Sequence, residues 1–412
     1  MHDAILPRLG RYIARPFRAL RIDGRGVHEA PLSEVMRKYG KSFDLPGDPN
    51  CLGYDQQPHQ GLAVLSQQTD ILDYASAGAE AVALDKNMVI TGILLVADPY
   101  RHDVTTATIT VVQDAVDKIL SGLNIVGGPT YFQLSSTLAF LKALSAMNKV
   151  VYGGSLPHED LATGVGADND SFQAWYIPLG AANDYDYFDI TAGIPAEDET
   201  TLRLSGTFGA DNLIAETAAN GTIDTNTDIY VVLFGVAGLD RDYRSRLPLP
   251  EFRHDHVTSP STTTTFDLLT GRYLKRTTIL NLAAAASNNE ARNDGNLTDI
   301  TMRFLKPVDS RLWDAVRWRI FKHAMLLGGH GPEADRDGGV ALAGAGLDGV
   351  AVIDWRRFTK NPYGLDLMSL GSGDAQIELT VGTTTGSIHL FHEYYNFPDP
   401  SVPLGWPPYR PI

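Results

Sequence analysis

The feature that most constrains this chain of 412 residues is a strand-rich module that occurs twice. In each copy, two apolar strand candidates lead into the tripeptide Asp-Ala-Val, at 114–116 and 314–316, and two alternating strand candidates close the unit. The strand candidates are Ile93–Val96, Ala107–Val112, Thr201–Gly206 and Asp228–Phe234 in the first copy, and Ile279–Leu282, Asp299–Phe304, Gln376–Val381 and Ser387–Phe391 in the second. Duplication of such a unit predicts two similar β-domains in tandem.

The chain is long enough for two domains, and its 39 glycines and 23 prolines favour an all-β protein with many turns. We expect a linker where Pro248, Pro250 and Pro260 interrupt the pattern. The predicted division is an N-terminal amphipathic helix and arm at 1–60, a first sandwich at 61–240, the linker at 241–262, a second sandwich at 263–396 and a proline-rich tail at 397–412.

A few helices interrupt this strand pattern. Apolar residues at helical spacing predict three helices, Asp114–Gly122, Phe132–Asn148 and Ser310–Leu327. The first begins with an Asp-Ala-Val segment, the second follows a loop, and the third contains the other Asp-Ala-Val segment. Further strands are predicted at Phe172–Leu179, Tyr187–Ile190, Val350–Trp355 and Leu365–Leu370.

The first 20 residues have the pattern of a basic amphipathic helix, which Pro16 would kink. One face carries apolar side chains and the other arginines: Leu6, Leu9, Ile13, Phe17 and Leu20 against Arg8, Arg11, Arg15 and Arg18. Such a helix can lie in a membrane interface, with its guanidinium groups on anionic lipid phosphates. It can equally dock on the protein's own core, and the sequence does not choose between the two.

The charge balance and the single cysteine exclude several classes of protein. A net charge of −15 makes the body of the chain a poor nucleic-acid binder, because phosphate neutralisation needs clustered Lys and Arg. Cys51 is alone, so there is no intramolecular disulfide and no cysteine metal cluster. With no stretch of 18 apolar residues and no signal-peptide pattern, we expect synthesis in a cytoplasm.

Candidate metal ligands are few. His254 and His256 flank Asp255 at strand spacing, as in jelly-roll metalloenzymes, but 257–265 contains no carboxylate to complete such a site. Two acidic loops carry carboxylate oxygens of the kind that bind Ca²⁺. They are Asp184, Asp186 and Asp189, and Asp335 and Asp337 with Gly338. The alternative is that these carboxylates are simply hydrated and bind no ion. No cofactor is therefore predicted beyond this weak case for structural calcium.

No motif makes a positive case for an enzyme. Gly344, Gly346 and Gly349 satisfy G-x-G-x-x-G, but the strand candidate Val350–Trp355 follows where a dinucleotide site needs a helix. No G-x-S-x-G elbow, phosphate-binding loop or H-E-x-x-H motif is present. An alternative function is carbohydrate binding or adhesion by a β-sandwich, in which Trp175, Trp355 and Trp406 would stack on sugars.

The two strand-rich units resemble the double jelly-roll major capsid proteins of tailless icosahedral viruses, in particular those of bacteriophages with an internal membrane, the corticoviruses and tectiviruses. The resemblance covers most of 61–396 and is carried by a pattern of elements. They are the opening Phe266–Tyr273, the strands Ile279–Leu282 and Ile300–Phe304, the Asp-Ala-Val segment at 314–316 and the closing strand Ile388–Tyr395.

This resemblance implies two tandem eight-stranded jelly-roll β-sandwiches and a structural coat protein without enzymatic activity. It implies homotrimers that form pseudo-hexameric capsomers, contact neighbouring capsomers and minor capsid proteins, and tile an icosahedral virion over a lipid membrane. The N-terminal residues Arg8, Leu9, Arg11, Ile13, Arg15, Phe17 and Arg18 would then face that membrane. No direct contact with nucleic acid is expected.

Overall fold

The computed structural model describes 18–23, 26–31, 62–111, 114–127, 133–136, 144, 161–184, 186–210, 220–239, 241–258, 262–284, 290–306, 309–325, 348–359, 361, 363–382 and 386–397. Strands in the first part of the chain are β1 (Arg18–Asp23), β2 (Gly26–Pro31), β3 (Leu62–Gln67), β4 (Leu72–Asp73), β5 (Ala79–Ala83), β6 (Val89–Val104), β7 (Leu120–Gly127), β8 (Gln133–Ser136), β9 (Gly166–Pro178), β10 (Ile194–Pro195), β11 (Leu202–Phe208), β12 (Gly221–Ile223) and β13 (Asp228–Ala237).

Strands in the second part are β14 (Leu249–Thr258), β15 (Thr263–Asp267), β16 (Tyr273–Ala284), β17 (Glu290–Arg292), β18 (Leu297–Phe304), β19 (Ser310–Arg317), β20 (Val350–Asp354), β21 (Leu365–Asp366), β22 (Ala375–Val381) and β23 (Gly386–Asn396). The described helices are short: α1 (Arg241–Arg244), α2 (Trp318–Met325) and α3 (Trp355–Thr359), with 3₁₀ turns at Val116–Lys118 and Ala196–Asp198. None of these helices has the length and apolar character needed to cross a bilayer.

Eight strands of the first unit form two facing antiparallel sheets. One sheet has the order β3, β13, β6, β9, and the other has the order β5, β11, β7, β8. In chain order these are strands one, eight, three and six of the unit, opposite strands two, seven, four and five. This alternation between two sheets, with the last strand beside the first, defines a jelly roll.

The second unit repeats this order. Its first sheet runs β14, β23, β16, β20 and its second runs β15, β22, β18, β19. The prediction of an all-β protein built from two tandem eight-stranded jelly rolls is therefore confirmed.

Alternating side chains produce these sheets. Along β22 the buried positions are Ala375, Ile377, Leu379 and Val381, and the intervening positions are partly exposed. Along β11 the buried positions include Leu202, Leu204 and Phe208. Because side chains on a strand point alternately to opposite faces, each strand presents one apolar face to its own sandwich core.

Each sandwich has its own core, and the core of the first extends into the second. The core of the first unit also contains four residues of the second, namely Leu280, Val350, Val352 and Phe391. The last strand β23 is buried along nearly its whole length, since one face packs on its own sandwich and the other on the first unit. A single pairing of β14 with β8, at Phe252 and Leu134, makes one sheet of each unit continuous with the other.

The predicted helix Asp114–Gly122 is wrong, and the predicted helix Ser310–Leu327 is helical only over Trp318–Met325. Asp114 has a φ of +56° and is followed by a single 3₁₀ turn and then β7. The segment at 314–316 lies inside β19, with Ala315 at a φ of +48°, and α2 begins only at Trp318. Both segments are irregular because the neighbouring strands, and not local helix preference, fix their backbone.

Four other elements also differ from the prediction. Within Ala107–Val112, the described residues 107–111 contain only an isolated bridge at Val111. Tyr187–Ile190 is a series of turns, and only Leu365–Asp366 of the predicted strand Leu365–Leu370 is a strand. The predicted helix Phe132–Asn148 begins as strand β8. Its remainder lies outside the described residues except Leu144, which is helical and buried.

The expected linker and arm contain regular structure. Within 241–262, α1 is followed by β14, the first strand of the second sandwich. Pro250 is tolerated because it lies near the start of the strand, where β14 has no second partner strand among the described residues. Residues of the expected arm form β2, which pairs with β1; Arg18 and Leu20 are therefore in a strand and not in a helix.

Candidate functional site at the junction of the two sandwiches

A bulge at the start of β16 sends two adjacent basic side chains toward the first unit. The register with β23 shifts between Leu274 and Arg276, so that Lys275 and Arg276 do not point to opposite faces as neighbours in a regular strand do. Both side chains are fully buried, and both reach Asp184 of the first unit. Burial of two cations requires compensation by carboxylates, because an unpaired ion in the interior is costly.

Asp184 is positioned by a turn between β9 and β11. Asp189 holds this turn, since its carboxylate accepts the backbone N–H groups of Ala182, Asn183 and Thr191 at 2.8–3.0 Å. The Thr191 hydroxyl donates to the same carboxylate at 2.7 Å. The carboxylate of Asp184 is therefore presented to β16 by a loop whose own polar groups are satisfied.

Three cations and three carboxylates meet at this point, which we call the ionic junction. Lys275 Nζ lies 2.7 Å from Asp184 Oδ1, and Arg276 Nη2 lies 2.5 Å from Asp184 Oδ2. Arg356 also contacts Asp184 Oδ2 and pairs with Asp354 at 2.6 Å. The third carboxylate, Glu393, lies 2.9 Å from Arg276 Nη1 and 3.7 Å from Lys275 Nζ; the junction thus consists of Asp184, Lys275, Arg276, Asp354, Arg356 and Glu393.

Backbone oxygens and an aromatic shell complete the junction. Lys275 Nζ donates to Gly180 O at 2.7 Å and to the Tyr395 hydroxyl at 3.2 Å. Tyr395 donates in turn to Gly180 O at 2.8 Å. Tyr273, Tyr363 and Tyr395 pack with small side chains of the first unit in one buried cluster. Water is thereby kept from the charges, which strengthens their mutual attraction.

Electrostatics decide the protonation state of this cluster. Burial disfavours the charged form of Asp184, but the charges of Arg276, Arg356 and Lys275 outweigh it and hold its pKa well below the usual value. For Lys275 burial dominates and lowers the pKa, although Asp184 and Glu393 oppose the shift. Asp184 is accordingly an anion at neutral pH, and its charge is what makes burial of the basic side chains tolerable.

A second ionic contact joins the units at the other end of β16. Arg292 donates from Nε and Nη2 to the two carboxylate oxygens of Asp114, at 2.9 and 2.8 Å. Arg292 lies on β17, opposite Leu282 of β16. Leu282 is six residues beyond Arg276, or about 20 Å along the strand. The positive φ of Asp114 therefore belongs to a residue that holds the two sandwiches together.

The two ionic contacts and the apolar surface between them define one rigid arrangement. Leu280, Val350 and Val352 lie in the shared core between the ionic junction and the Arg292 contact. Charged hydrogen bonds at both ends resist sliding and rotation, because their geometry is directional, whereas apolar packing alone tolerates small shifts.

Comparison with known proteins gives structural matches only. No protein-family model and no curated protein sequence matches the chain. The crystal structure of the STIV MCP aligns with a TM-score of 0.62 at 14% identity, over 82% of this chain and 98% of that chain. A chain from the atomic structure of Sulfolobus turreted icosahedral virus aligns with a TM-score of 0.60 at 15% identity, over 82% and 92%. The major capsid protein P2 of bacteriophage PM2 gives 0.47 at 11% identity, over 82% and 99%.

The chain has the double jelly-roll fold of viral major capsid proteins. The match extends over nearly the whole length of the STIV MCP, so that both jelly rolls are included and in the same order. At this level of identity the agreement concerns the fold. It confirms the resemblance in architecture that the repeated module indicated.

The histidines of the double jelly roll do not form a metal site. His254 Nε2 lies 3.0 Å from His389 Nδ1, and the rings of His254, His256 and His389 are stacked nearly parallel. Asp255 points to the other face of the sheet, where it pairs with Arg253 at 2.9 Å. Within the described ranges, no three His, Cys, Asp or Glu side chains are grouped so as to hold a metal ion.

The acidic loop at 184–189 has other roles. Asp184 belongs to the ionic junction, and Asp189 accepts hydrogen bonds from its own loop. Both carboxylates are therefore already engaged by protein donors. Asp335, Asp337 and Gly338 lie outside the described residues.

The tryptophans proposed for sugar stacking are core residues. Trp175 and Trp355 are both fully buried, and their indole N–H groups donate to Asp117 at 2.7 Å and to the Thr277 hydroxyl at 3.2 Å. Neither can present a face to a glycan, and Trp406 lies outside the described residues. Of the residues predicted to face a membrane, Arg18 begins β1, and Arg8, Leu9, Arg11, Ile13, Arg15 and Phe17 lie outside the described residues.

Sequence reasoning missed the residues that hold the two units together. Lys275 and Arg276 interrupt the apolar run of β16, which is the one local signal that a buried strand carries a special contact. The sequence pattern of their partner Asp184 indicates either a calcium ligand or a solvated acidic loop. The pattern at Asp114 predicts only the first residue of a helix.

Proposed function

We propose that this protein is a structural coat subunit whose two jelly rolls form one rigid building block of an icosahedral virion shell. The observation that carries the proposal is the agreement of both sandwiches, in order, with the STIV MCP, over 82% of this chain. The ionic junction and the Arg292 contact support the proposal. A coat subunit that repeats many times in a shell needs a fixed angle between its two sandwiches. We assign no enzymatic activity to the chain.

The proposed assembly unit is a homotrimer with a pseudo-hexameric outline. Three copies of a chain with two similar sandwiches present six similar units around one axis, which suits a hexagonally packed shell. Neighbouring capsomers and minor capsid proteins are the proposed partners in the virion. Weak contacts suffice in such a shell, since each is repeated many times.

Mass photometry of the purified full-length chain, with negative-stain electron microscopy of the same sample, tests the coat function. We expect trimers or larger closed particles. A protein that stays strictly monomeric at high micromolar concentration, with its two sandwiches folded, would contradict the proposal.

We propose further that the basic N-terminus binds an anionic lipid membrane beneath the shell. Each arginine near an anionic surface contributes about 1 kcal/mol, so that loss of the four attractions alone weakens binding roughly a thousandfold, and the reversed charges weaken it further. The test compares Arg8→Glu, Arg11→Glu, Arg15→Glu and Arg18→Glu, combined in one chain, with the wild type on phosphatidylserine vesicles. The matched control replaces the same four arginines with lysine and should bind like the wild type. Equal binding by the Glu variant would refute lipid recognition by this segment.

A further inference from the structure

The ionic junction holds an amine between two carboxylates, away from water. Lys275 is fully buried, and the side chains of Asp184 and Glu393 are only 4% and 9% exposed. Nζ of Lys275 lies 2.7 Å from Oδ1 of Asp184 and 3.7 Å from Oε2 of Glu393. Asp184 follows β9 of the first sandwich, whereas Lys275 lies on β16 and Glu393 on β23 of the second. The amine of one sandwich is therefore in contact with a carboxylate of the other.

The contact between Lys275 and Asp184 is short but poorly aligned for a hydrogen bond. Oδ1 of Asp184 is buried and accepts no regular hydrogen bond, although Nζ is 2.7 Å away. Nζ instead donates in regular geometry to Gly180 O and to the Tyr395 hydroxyl. Since a carbon–oxygen bond is about 1.2 Å long, Cγ of Asp184 lies within about 4 Å of Nζ. Attack begins at about 3–3.5 Å, so a small side-chain movement brings the nitrogen to this carbon.

The surroundings of Lys275 favour a reactive amine. Burial lowers the pKa of Lys275, which makes the neutral, nucleophilic form more accessible than it is in water. Glu393 is placed to accept a proton from Nζ. Its Oε1 is fixed by Arg276 at 2.9 Å, while its buried Oε2, on the side of Nζ, has no hydrogen-bond partner among the described residues. A fixed carboxylate with a free oxygen is suited to general base chemistry.

Two guanidinium groups bind the other oxygen of Asp184. Both Arg276 and Arg356 contact Oδ2, and Lys275 contacts Oδ1. The arginines keep the carboxylate ionised, which makes it less reactive before attack. However, attack at Cγ concentrates negative charge on Oδ2, and fixed donors at that oxygen stabilise such an intermediate. Oδ1, on the side of the amine, is then the oxygen that can leave.

From this geometry we propose that Lys275 and Asp184 condense to an isopeptide bond that joins the two sandwiches covalently. The ion pair is the state before condensation. Nζ, as –NH3⁺, gives up two protons by way of Glu393 and forms a bond to Cγ of Asp184. Oδ1 takes up these two protons and leaves as water when the Cγ–Oδ1 bond breaks. Nothing is oxidised or reduced, and no co-reactant is needed.

The balance of charge in the junction is compatible with this bond. Condensation removes one cation and one anion together, and it leaves Arg276 with Glu393 and Arg356 with Asp354. The remaining buried charges are still paired, and fewer ions stay desolvated. Amine and carboxyl groups held in contact react as if each were present at about 10⁵–10⁸ M, and the buried site contains little water to reverse the reaction.

A second buried lysine provides an internal control. Nζ of Lys322 contacts Asp294 and lies 3.8 Å from Asp348, but the side chain of Asp348 is 49% exposed. Asp294 accepts further hydrogen bonds from the indole of Trp318 at 3.0 Å and from the backbone of Gly349 at 2.8 Å. Since water reaches this site and both oxygens of Asp294 are engaged by regular donors, we expect no bond at Lys322.

Mass spectrometry of the purified full-length chain, denatured before measurement, tests the bond. We expect an intact mass below that of the sequence by one water molecule. Trypsin cleaves after Lys149, Arg203, Arg272 and Arg276, but it cannot cleave after Lys275 once the amine is acylated. The digest should therefore contain a branched peptide in which 150–203 is joined to 273–276, and fragmentation should place the bond at Asp184. A succinimide also loses water, but it joins no second peptide.

Variants at two positions separate the bond from the ion pair. Lys275→Arg keeps the positive charge but cannot condense, since a guanidinium does not lose its proton, and should have the full sequence mass. Glu393→Gln removes the proton acceptor, and Glu393→Asp keeps the charge but withdraws the carboxylate by one methylene. Loss of a positioned base slows such a step by about a hundredfold, so both should be purified largely unlinked. Circular dichroism verifies that each variant folds.

The wild type alone decides whether the bond exists. A full sequence mass overturns the proposal, and so does loss of water without the branched peptide or with a link at Lys322 instead. Glu393 is not the proton acceptor if its folded variants are linked as completely as the wild type, and Glu393→Asp decides this point if Glu393→Gln does not fold. The bond does not depend on assembly, so a linked monomer would refute the coat function and leave the bond established.

Discussion

Replacement of Asp184 by Asn tests the role of the ionic junction. The substitution keeps the size of the side chain but removes one of three carboxylates that face three cations, so that one buried positive charge is left uncompensated. Removal of one partner from a buried ion pair costs about 3–5 kcal/mol. Because three cations share this carboxylate, we expect a loss near the upper value, about 5 kcal/mol, which is a large part of the stability of a typical domain.

The assay is urea unfolding at pH 7, followed by the fluorescence of the buried tryptophans of the two sandwiches. Asp170→Asn is the matched control, since Asp170 also pairs with an arginine, Arg101 at 2.8 Å, but its side chain is 50% exposed. Water and salt screen an exposed pair, so the control should lie close to the wild type. A second variant that adds Lys275→Met to Asp184→Asn removes the uncompensated charge and should recover at least about 2 kcal/mol.

The reasoning fails if Asp184→Asn unfolds within about 1 kcal/mol of Asp170→Asn, because the buried carboxylate would then contribute no more than an exposed one. It also fails if adding Lys275→Met to Asp184→Asn lowers the free energy of unfolding by as much as Lys275→Met lowers it in the wild type. That result would mean that the two charges are not coupled.

Three further predictions concern the same interface and its surroundings. Arg292→Met leaves Asp114 buried without its cation and should cost about 3–5 kcal/mol in urea unfolding, and a loss below about 1 kcal/mol would contradict the second ionic contact. Burial lowers the pKa of His392 to about 3 and that of His254 to about 4, so the unfolded chain, with a pKa near 6.5, binds more protons between these values. The urea midpoint should therefore fall as pH falls from about 6.5 to about 4, and a flat profile across this window would count against neutral buried rings. Gly349 has a φ of +67°, and a Cβ added there would collide with the backbone oxygen of Asn281 in β16. Gly349→Ala should therefore lower the thermal midpoint through a loss of about 1–3 kcal/mol, and an unchanged midpoint would refute the close approach.

Much of the strand framework was predictable from local pattern. β11, β22 and the first half of β13 follow the period of two that places one apolar face inward. The repeat in the sequence predicted two similar sandwiches, since each copy carries its own strands. Predictions of this kind succeed where a strand's own side chains decide which face is buried.

The helix predictions failed where an edge strand carried a helical pattern. Leu312, Val316 and Ile320 share one helical face, yet β19 pairs with β18 through two register shifts, and the backbone N–H of Ala315 donates to the Thr301 hydroxyl at 3.0 Å. β19 is an edge strand that buries only parts of Trp313 and Val316, so its sequence need not alternate, and the spacing of its apolar residues is not informative. Similarly, Pro250 and the flanking Pro248 and Pro260 outweigh the weak alternation of β14, so that the sequence predicts a linker there.

By itself, the sequence of this protein determined an acidic, cysteine-poor, all-β chain with a duplicated jelly-roll unit and no recognisable catalytic motif. Only the tertiary structure decided what joins the copies, because Asp184 and Arg276 are 92 residues apart and Asp114 and Arg292 are 178 apart. The alternation of side chains along a strand indicates which of its faces is apolar. It does not record which distant carboxylate will neutralise a buried arginine, since that pairing exists only once both sandwiches have folded and packed together.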